Sequence, residues 1–189
     1  MIYQILIAGY DYQTPYLEEK CAARLYERTQ AARKLGQSES LKLIYDHLDV
    51  RWHDEDDRPA PDIAELRGNL IFNEKALSAI NSIIPNDVEL ISFESRGESW
   101  TITNFLSSKD KYIDQISDED TLFMAMHDPN PQAVLTFLST AKLPELFYIQ
   151  KANHRYFCQD QFKAIVKENN LTGIVITENL ITQDYQPVS

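Results

Sequence analysis

One arrangement occurs twice in this chain and narrows its possible folds more than any other feature. From Asn69 the order is a short apolar run (NLIF), a polar residue at Asn73, an amphipathic stretch (NEKALSAINSII) and an alternating run (VELISF). From Arg155 it is RYFC, then QDQFKAIVKENN, then GIVIT. Apolar residues three and four apart make a helical stripe, whereas short runs of β-branched and aromatic residues bounded by turn formers make strands. Both segments therefore read as strand-helix-strand units. Asn73 serves as N-cap of the first helix, Pro85 stops it, and Asn86-Asp87 turns the chain into the next strand. Setting Asn73 against Gln159 brings Ala76, Ala79 and Ile80 opposite Phe162, Ile165 and Val166, so two helices of equal length present equivalent faces. An internal duplication explains this, and so does the similarity that any two amphipathic helices following strands share. Two copies do not make a solenoid.

The rest of the chain is read around these units. Ile2 to Ala8 is an apolar strand before a glycine. The stretch from Pro15 to Leu35 carries the signals of a helix: Thr14 as N-cap, Pro15 at the first position, Glu18 and Glu19 early, Arg33 and Lys34 late, Gly36 after the end. The connection HDEDDRPAPDIAE holds Pro59 and Pro61, which exclude a helix interior from Arg58 to Pro61. A boundary falls there, giving one domain, 1–189, with an N-terminal strand-helix element and polar linker (1–60) and a core (61–189). SWTITNFL and LFYIQ read as strands, LFMAM as a further one, SSKDKYIDQISDED as a polar loop, and PQAVLTFLSTA as a helix opening near Pro131. Short strands mixed irregularly with helices predict an α+β fold, with a mixed or antiparallel sheet and packed helices.

A chain of 189 residues, 43% hydrophobic with five glycines, is long enough to bury its own core without metal or disulfide. Cys21 and Cys158 stand among apolar neighbours and outside any C-x-x-C, the setting of free buried thiols. The start lacks the pattern of a signal peptide and no apolar run reaches the length of a membrane span, so the expected address is cytoplasmic. The net charge of −11 argues against nucleic acid or an anionic membrane as partner. Much of it lies between Asp87 and Asp128, where ten acids face Arg96, Lys109 and Lys111. Such a segment is either a solvated face that keeps the protein soluble or a docking face for a basic protein.

The residues that carry chemistry do not assemble into a complete motif. No G-x-G-x-x-G, Walker loop or G-x-S-x-G is present, and the glycines at 9, 36, 68, 97 and 173 are too dispersed to cradle a phosphate. His53 begins a contiguous acidic run, Asp54 to Asp57, which is a solvated turn before it is a metal site. No cofactor is expected. Glu89 with Glu94 offers a carboxylate pair, and His154 with Cys158 the one nucleophile-base pair close in sequence. Trp52 and Trp100 are either core residues or the aromatic anchors that interfaces favour.

The runs from Pro61 to Glu94, Ser99 to Asp114 and Leu146 to Ile176 together resemble a bacterial family of immunity proteins of polymorphic toxin systems, first catalogued as of unknown function. Pro61-Asp62, Asn73, Asp114 and Gly173 stand at the family's characteristic places, over roughly Pro61 to Leu180; the helix expected at 15–35 is not part of that pattern. The resemblance implies a non-enzymatic protein that binds and neutralises a cognate toxin, and it carries no catalytic residues. The expected partner is a basic toxin protein, with Asp114, Asp118, Glu119, Asp120, Trp52 and Trp100 as candidate contact residues. The rival expectations are a small hydrolase using the carboxylates or His154 and Cys158, and a structural subunit of an oligomer.

Overall fold

The computed structural model describes residues 1–17, 48–53, 57–118, 120–122, 124, 133–152 and 155–181. Its strands, in chain order, are β1 (Tyr3–Ile7), β2 (Pro15–Leu17), β3 (Val50–Trp52), β4 (Ile63–Leu66), β5 (Asn69–Asn73), β6 (Val88–Ser95), β7 (Glu98–Phe105), β8 (Ile113–Ile116), β9 (Leu135–Phe137), β10 (Leu146–Ile149), β11 (Arg155–Cys158) and β12 (Ile174–Thr177). Helix α1 (Glu74–Ile80) lies between β5 and β6, and α2 (Asp160–Glu168) between β11 and β12. Among the described residues every strand pairing is antiparallel, so the fold is α+β. No described helix is long and apolar enough to cross a membrane.

Two four-stranded sheets form the frame, ordered β4-β5-β7-β6 and β10-β11-β1-β12. They are built to one plan. Ile63 pairs with Phe72 as Leu146 pairs with Cys158, and Ala64 with Ile71 as Phe147 with Phe157. Ile102 sits between Ile71 and Ile91 as Gln4 sits between Phe157 and Thr177. β1 thus occupies in the second sheet the place β7 occupies in the first. Each half of the chain runs through the same succession: a strand given to the other half's sheet, a two-stranded ribbon (β2-β3 or β8-β9), two sheet strands, a helix and a last strand. The structural repeat therefore extends well beyond the two helices that suggested it.

One face of each sheet meets the helices in a shared inner core. Tyr3, Ile5, Leu146, Tyr156 and Cys158 come from one sheet, Ile63, Leu70, Phe72 and Phe105 from the other, and Ala76, Ile80 and Phe162 from the helices. The opposite face of each sheet is covered by its ribbon. Leu17, Val50 and Trp52 pack on Ala64, Leu66, Ile71, Trp100 and Ile102, while Leu135 and Phe137 pack on Phe147, Ile149 and Phe157. Strand alternation explains this, since successive side chains enter different layers. Tyr148 and Tyr156 face the inner core, whereas Phe147 and Phe157, one residue away, stack in the outer one with ring centroids 5.7 Å apart.

Several expectations are corrected. The helix at Pro15–Leu35 does not begin where its capping signals placed it: Pro15, Tyr16 and Leu17 form β2, paired with Trp52, Arg51 and Val50. Proline is tolerated at the first residue of an edge strand for the same reason it is tolerated at a helix start, because no donor is missed there. Residues 18–35, with Cys21, lie outside the described residues. The helix expected from Pro131 gives way to β9, where exposed Thr136 alternates with Leu135 and Phe137; Pro131 itself is outside the described residues. In LFMAM, Leu122 and Met124 are helical, and the polar loop before it contains β8. The boundary at Arg58–Pro61 does not set 1–60 apart, because β1 lies between β11 and β12 inside the second sheet.

The helix starts show how local sequence and distant chain share the work. The Asn73 side chain accepts the Ala76 N–H at 2.9 Å, the capping bond its residue type predicts. Gln159 makes no capping bond; its side chain donates instead to the Leu143 carbonyl. Glu145, the residue before β10, accepts the N–H groups of Gln161 at 3.0 Å and Phe162 at 3.3 Å, placing a carboxylate at the positive end of α2. The Asn73 N–H bonds to the Asp62 carbonyl as the Gln159 N–H bonds to that of Glu145, both at 3.0 Å.

Gly173 has φ +97°, and a Cβ there would fall 1.9 Å from the Ile63 carbonyl oxygen and 2.5 Å from Pro61 Cβ. Gly173→Ala is therefore expected to destabilise the protein by about 3 kcal/mol or more, from backbone overlap and strain together. Ile80→Ala, at a fully buried position, should cost about 2–4 kcal/mol, and Val166→Ala, half-buried in the equivalent place, about 1 kcal/mol. Urea denaturation of the three variants checks this order.

Candidate functional site

Three of the four places that carry the family resemblance meet at one point, and the point is structural. Pro61-Asp62 precedes β4, Asn73 caps α1, and Gly173 precedes β12, which belongs to the other sheet. Asp62 is buried at their centre. Its Oδ1 accepts from Asn73 Nδ2 at 2.9 Å; its Oδ2 accepts from Lys75 Nζ and the Thr172 N–H, each at 2.9 Å, and from the Thr172 hydroxyl at 3.1 Å. Burial alone would raise its pKa, but the bonds to Lys75, Asn73 and Thr172 outweigh that and hold it below the ordinary carboxylate value. The spacing of these residues thus encodes a junction between sheets. Asp114, the fourth place, stands apart from it on β8.

The acid-rich stretch divides once its side chains are placed. Asp87 accepts hydrogen bonds from Lys109 and Ser107. Glu89 is buried, accepting from Asn104 Nδ2 at 3.1 Å. Asp110 Oδ1 takes the Gln150 N–H at 3.0 Å and the Ser108 hydroxyl at 2.6 Å, closing the turn after β10. Asp118 caps a helical turn: its carboxylate accepts the Thr121 N–H at 2.9 Å and the Thr121 hydroxyl at 2.8 Å, and both bonds lower its pKa. Asp114 and Asp120 are exposed, on and just beyond the β8-β9 ribbon, and Glu119 lies outside the described residues. Glu94 and Glu98 are exposed at the far hairpin, β6-β7. Asp128 also lies outside the described residues, and the eight acids that are described do not make one continuous face.

Trp52 and Trp100 are core residues. They are 5% and 2% exposed, with ring centroids 4.7 Å apart, so of the two readings open from the sequence the structure has them packed in the core. The reason is alternation on β3 and β7: both point between ribbon and sheet. Trp52 Nε1 donates to Ser95 Oγ at 3.1 Å, and that hydroxyl donates to the Val50 carbonyl at 2.8 Å. Their outer edges line a cleft of about 220 Å³ with Gln13, Ala60, Ser95, Arg96 and Glu98. Arg96, at φ 55° in the β6-β7 turn, reaches across to Gln13 Oε1 at 2.6 Å. The sequence pointed to the tryptophans but not to this cleft, whose walls come from four separated segments.

The candidate catalytic pairs do not form from the described residues. Glu89 is buried and Glu94 exposed, on opposite faces of β6. Cys158 is fully buried, facing the inner core, and burial, reinforced by the charge of Glu145, pushes its thiol up to about 12. A thiol so placed is a poor nucleophile. His154 lies outside the described residues, and His53 packs against Tyr16 with centroids 4.5 Å apart and the rings tilted by 33°. Comparison of the chain with protein-family models, with curated proteins and with solved structures finds no match.

Two outcomes follow. Because the folded pKa of Asp62 is depressed, its contribution to stability is fully present above the ordinary carboxylate value of 3.8 and is lost as pH falls through its lower folded value. Asp62→Asn should therefore destabilise the protein at neutral pH and lose part of the acid dependence below pH 4, as denaturant melts across pH would show. Cys158 should label slowly with a thiol reagent in the native protein and rapidly once unfolded.

Proposed function

We propose that this protein is a non-enzymatic immunity protein, which binds a basic toxin encoded beside it and neutralises it by occlusion. The observation that carries this reading is the exposed pair Asp114 and Asp120 on and beside the β8-β9 ribbon, mounted on a packed layer rather than a free loop. Other acids of that stretch, Asp87, Glu89, Asp110 and Asp118, are committed to internal bonds. A rigid scaffold with exposed carboxylates favours fast encounter with a cationic partner, while affinity comes from desolvated contacts. The burial and raised pKa of Cys158 weigh against the rival reading of a cysteine hydrolase.

The test is kinetic. With the protein encoded by the adjacent reading frame as partner, Asp114→Asn with Asp120→Asn should slow association about three- to tenfold at low salt and flatten its salt dependence, because steering is screened over about 8 Å at physiological ionic strength. Dissociation should change little. Protection of cells against that partner should need the folded chain, so Gly173→Ala should weaken it as well. An adjacent product that is neither toxic nor bound sinks the reading.

A further inference from the structure

The structural repeat supplies an internal comparison for the cleft beside the tryptophans. Trp52 pairs with Pro15 in its ribbon as Phe137 pairs with Ile113 in the other, so the two rings hold equivalent places. In the second half Phe137 meets Phe147 and Phe157 edge-on, each at 5.8 Å, and Leu143 joins the same cluster. In the first half Ala64 and Ile71 stand where Phe147 and Phe157 stand. Ala60, two residues before Asp62, stands where Leu143 precedes Glu145. One copy of the layer is filled with hydrocarbon. The other, with smaller residues at these three places but a larger ring at Trp52, keeps a cleft lined by Ala60 and the two tryptophans together with Gln13, Ser95, Arg96 and Glu98.

The chemistry of that lining selects an occupant. The Ser95 hydroxyl is already engaged by Trp52 and Val50, and Arg96 is bonded to Gln13. Glu98 lies opposite Ser95 on the hairpin and on the same face of β7 as Trp100; its carboxylate is exposed and no described residue bonds to it. A ligand that suits the cleft has an apolar stem for the tryptophan edges and Ala60, and a cationic donor for Glu98. An arginine side chain has both, and its planar fork meets a carboxylate with two parallel hydrogen bonds where an ammonium offers only a point charge. We propose that the cleft receives an arginine side chain of the protein partner. The proposal rests on the reading above that the partner is a basic protein, and it adds a specificity pocket on the first half of the chain to the charged encounter surface on the second.

Both tryptophans of the chain line this cleft, so intrinsic tryptophan emission reports on it alone. Titration of the protein with N-acetylarginine amide at low ionic strength should give a saturable emission change. The isosteric, uncharged N-acetylcitrulline amide should bind at least about tenfold more weakly, the scale of one charge-assisted hydrogen bond. Glu98→Gln, at an exposed position, should lose the same factor. Ala60→Leu, also exposed, should abolish the change by filling the cleft as Leu143 fills its counterpart, with an unchanged urea midpoint showing that the fold is intact. No saturable change in the unmodified protein, or equal binding of the two amides, overturns the proposal. Its failure is distinct from failure of the functional reading. If the Asp114 and Asp120 variant slows partner association while Glu98→Gln and Ala60→Leu leave partner dissociation unchanged, the immunity reading stands and the arginine pocket falls.

Discussion

The Asp62 carboxylate, buried and hydrogen-bonded from three sides, is the interaction on which the rest of this architecture depends. It receives the cap residue of α1 and Lys75 from one sheet's helix, and the amide and hydroxyl of Thr172 from the approach to the other sheet's last strand. A charge removed from water is tolerated only when its lone pairs are matched. The Ile63 N–H adds a bond to the Thr172 carbonyl at 3.0 Å, and the Ala8 N–H one to that of Gly173 at 2.9 Å, so three stretches of backbone converge where a Cβ at Gly173 would not fit. The inner core can close only with this corner in place, since it draws on both sheets at once.

Local chemistry was legible where one residue decides an outcome. Asn73 as a cap and the stripes Ala76-Ile80 and Phe162-Val166 hold, because each is settled within a turn or two of helix. By contrast, α1 ends at Ile80 ahead of Pro85 and is shorter than α2, not equal to it, the chain passing through a 3-10 turn at Asn81–Ile83. The ribbons were not legible. β2, β3 and β9 are three residues each, and their extended form is stabilised by a partner strand and a sheet face distant in sequence, which no periodicity over three residues reveals. The Thr14-Pro15 signal failed for this reason: it is compatible with either a helix or an edge strand, and Trp52 and Val50 decide for the strand.

The candidate site was half legible in the same sense. Charge counting found the acid-rich stretch, and Asp114 and Asp120 are indeed exposed. It could not see that Asp87, Asp110 and Asp118 are occupied with Lys109, the turn after β10 and Thr121. The tryptophans were singled out by residue type, but their roles as floor of a cleft and wall of a core depend on β3 and β7 being brought together by the fold. Pro61, Asp62, Asn73 and Gly173 carried the resemblance to immunity proteins, and what they share in space is a corner of the scaffold. Their spacing bears on shape, and the contact chemistry lies elsewhere.

The exchange of β1 and β7 has a topological consequence. Severed at the Arg96-Gly97 turn, the chain would yield one piece holding β1 to β6 and another holding β7 to β12, and each piece would lack an interior strand of its own sheet while carrying that of the other. Neither piece could complete its four-stranded sheet alone. The single polypeptide is in this respect a clasped pair: its halves are interlocked through the middle of each sheet rather than abutted at a surface, so they cannot hinge, slide or part without unzipping a central strand.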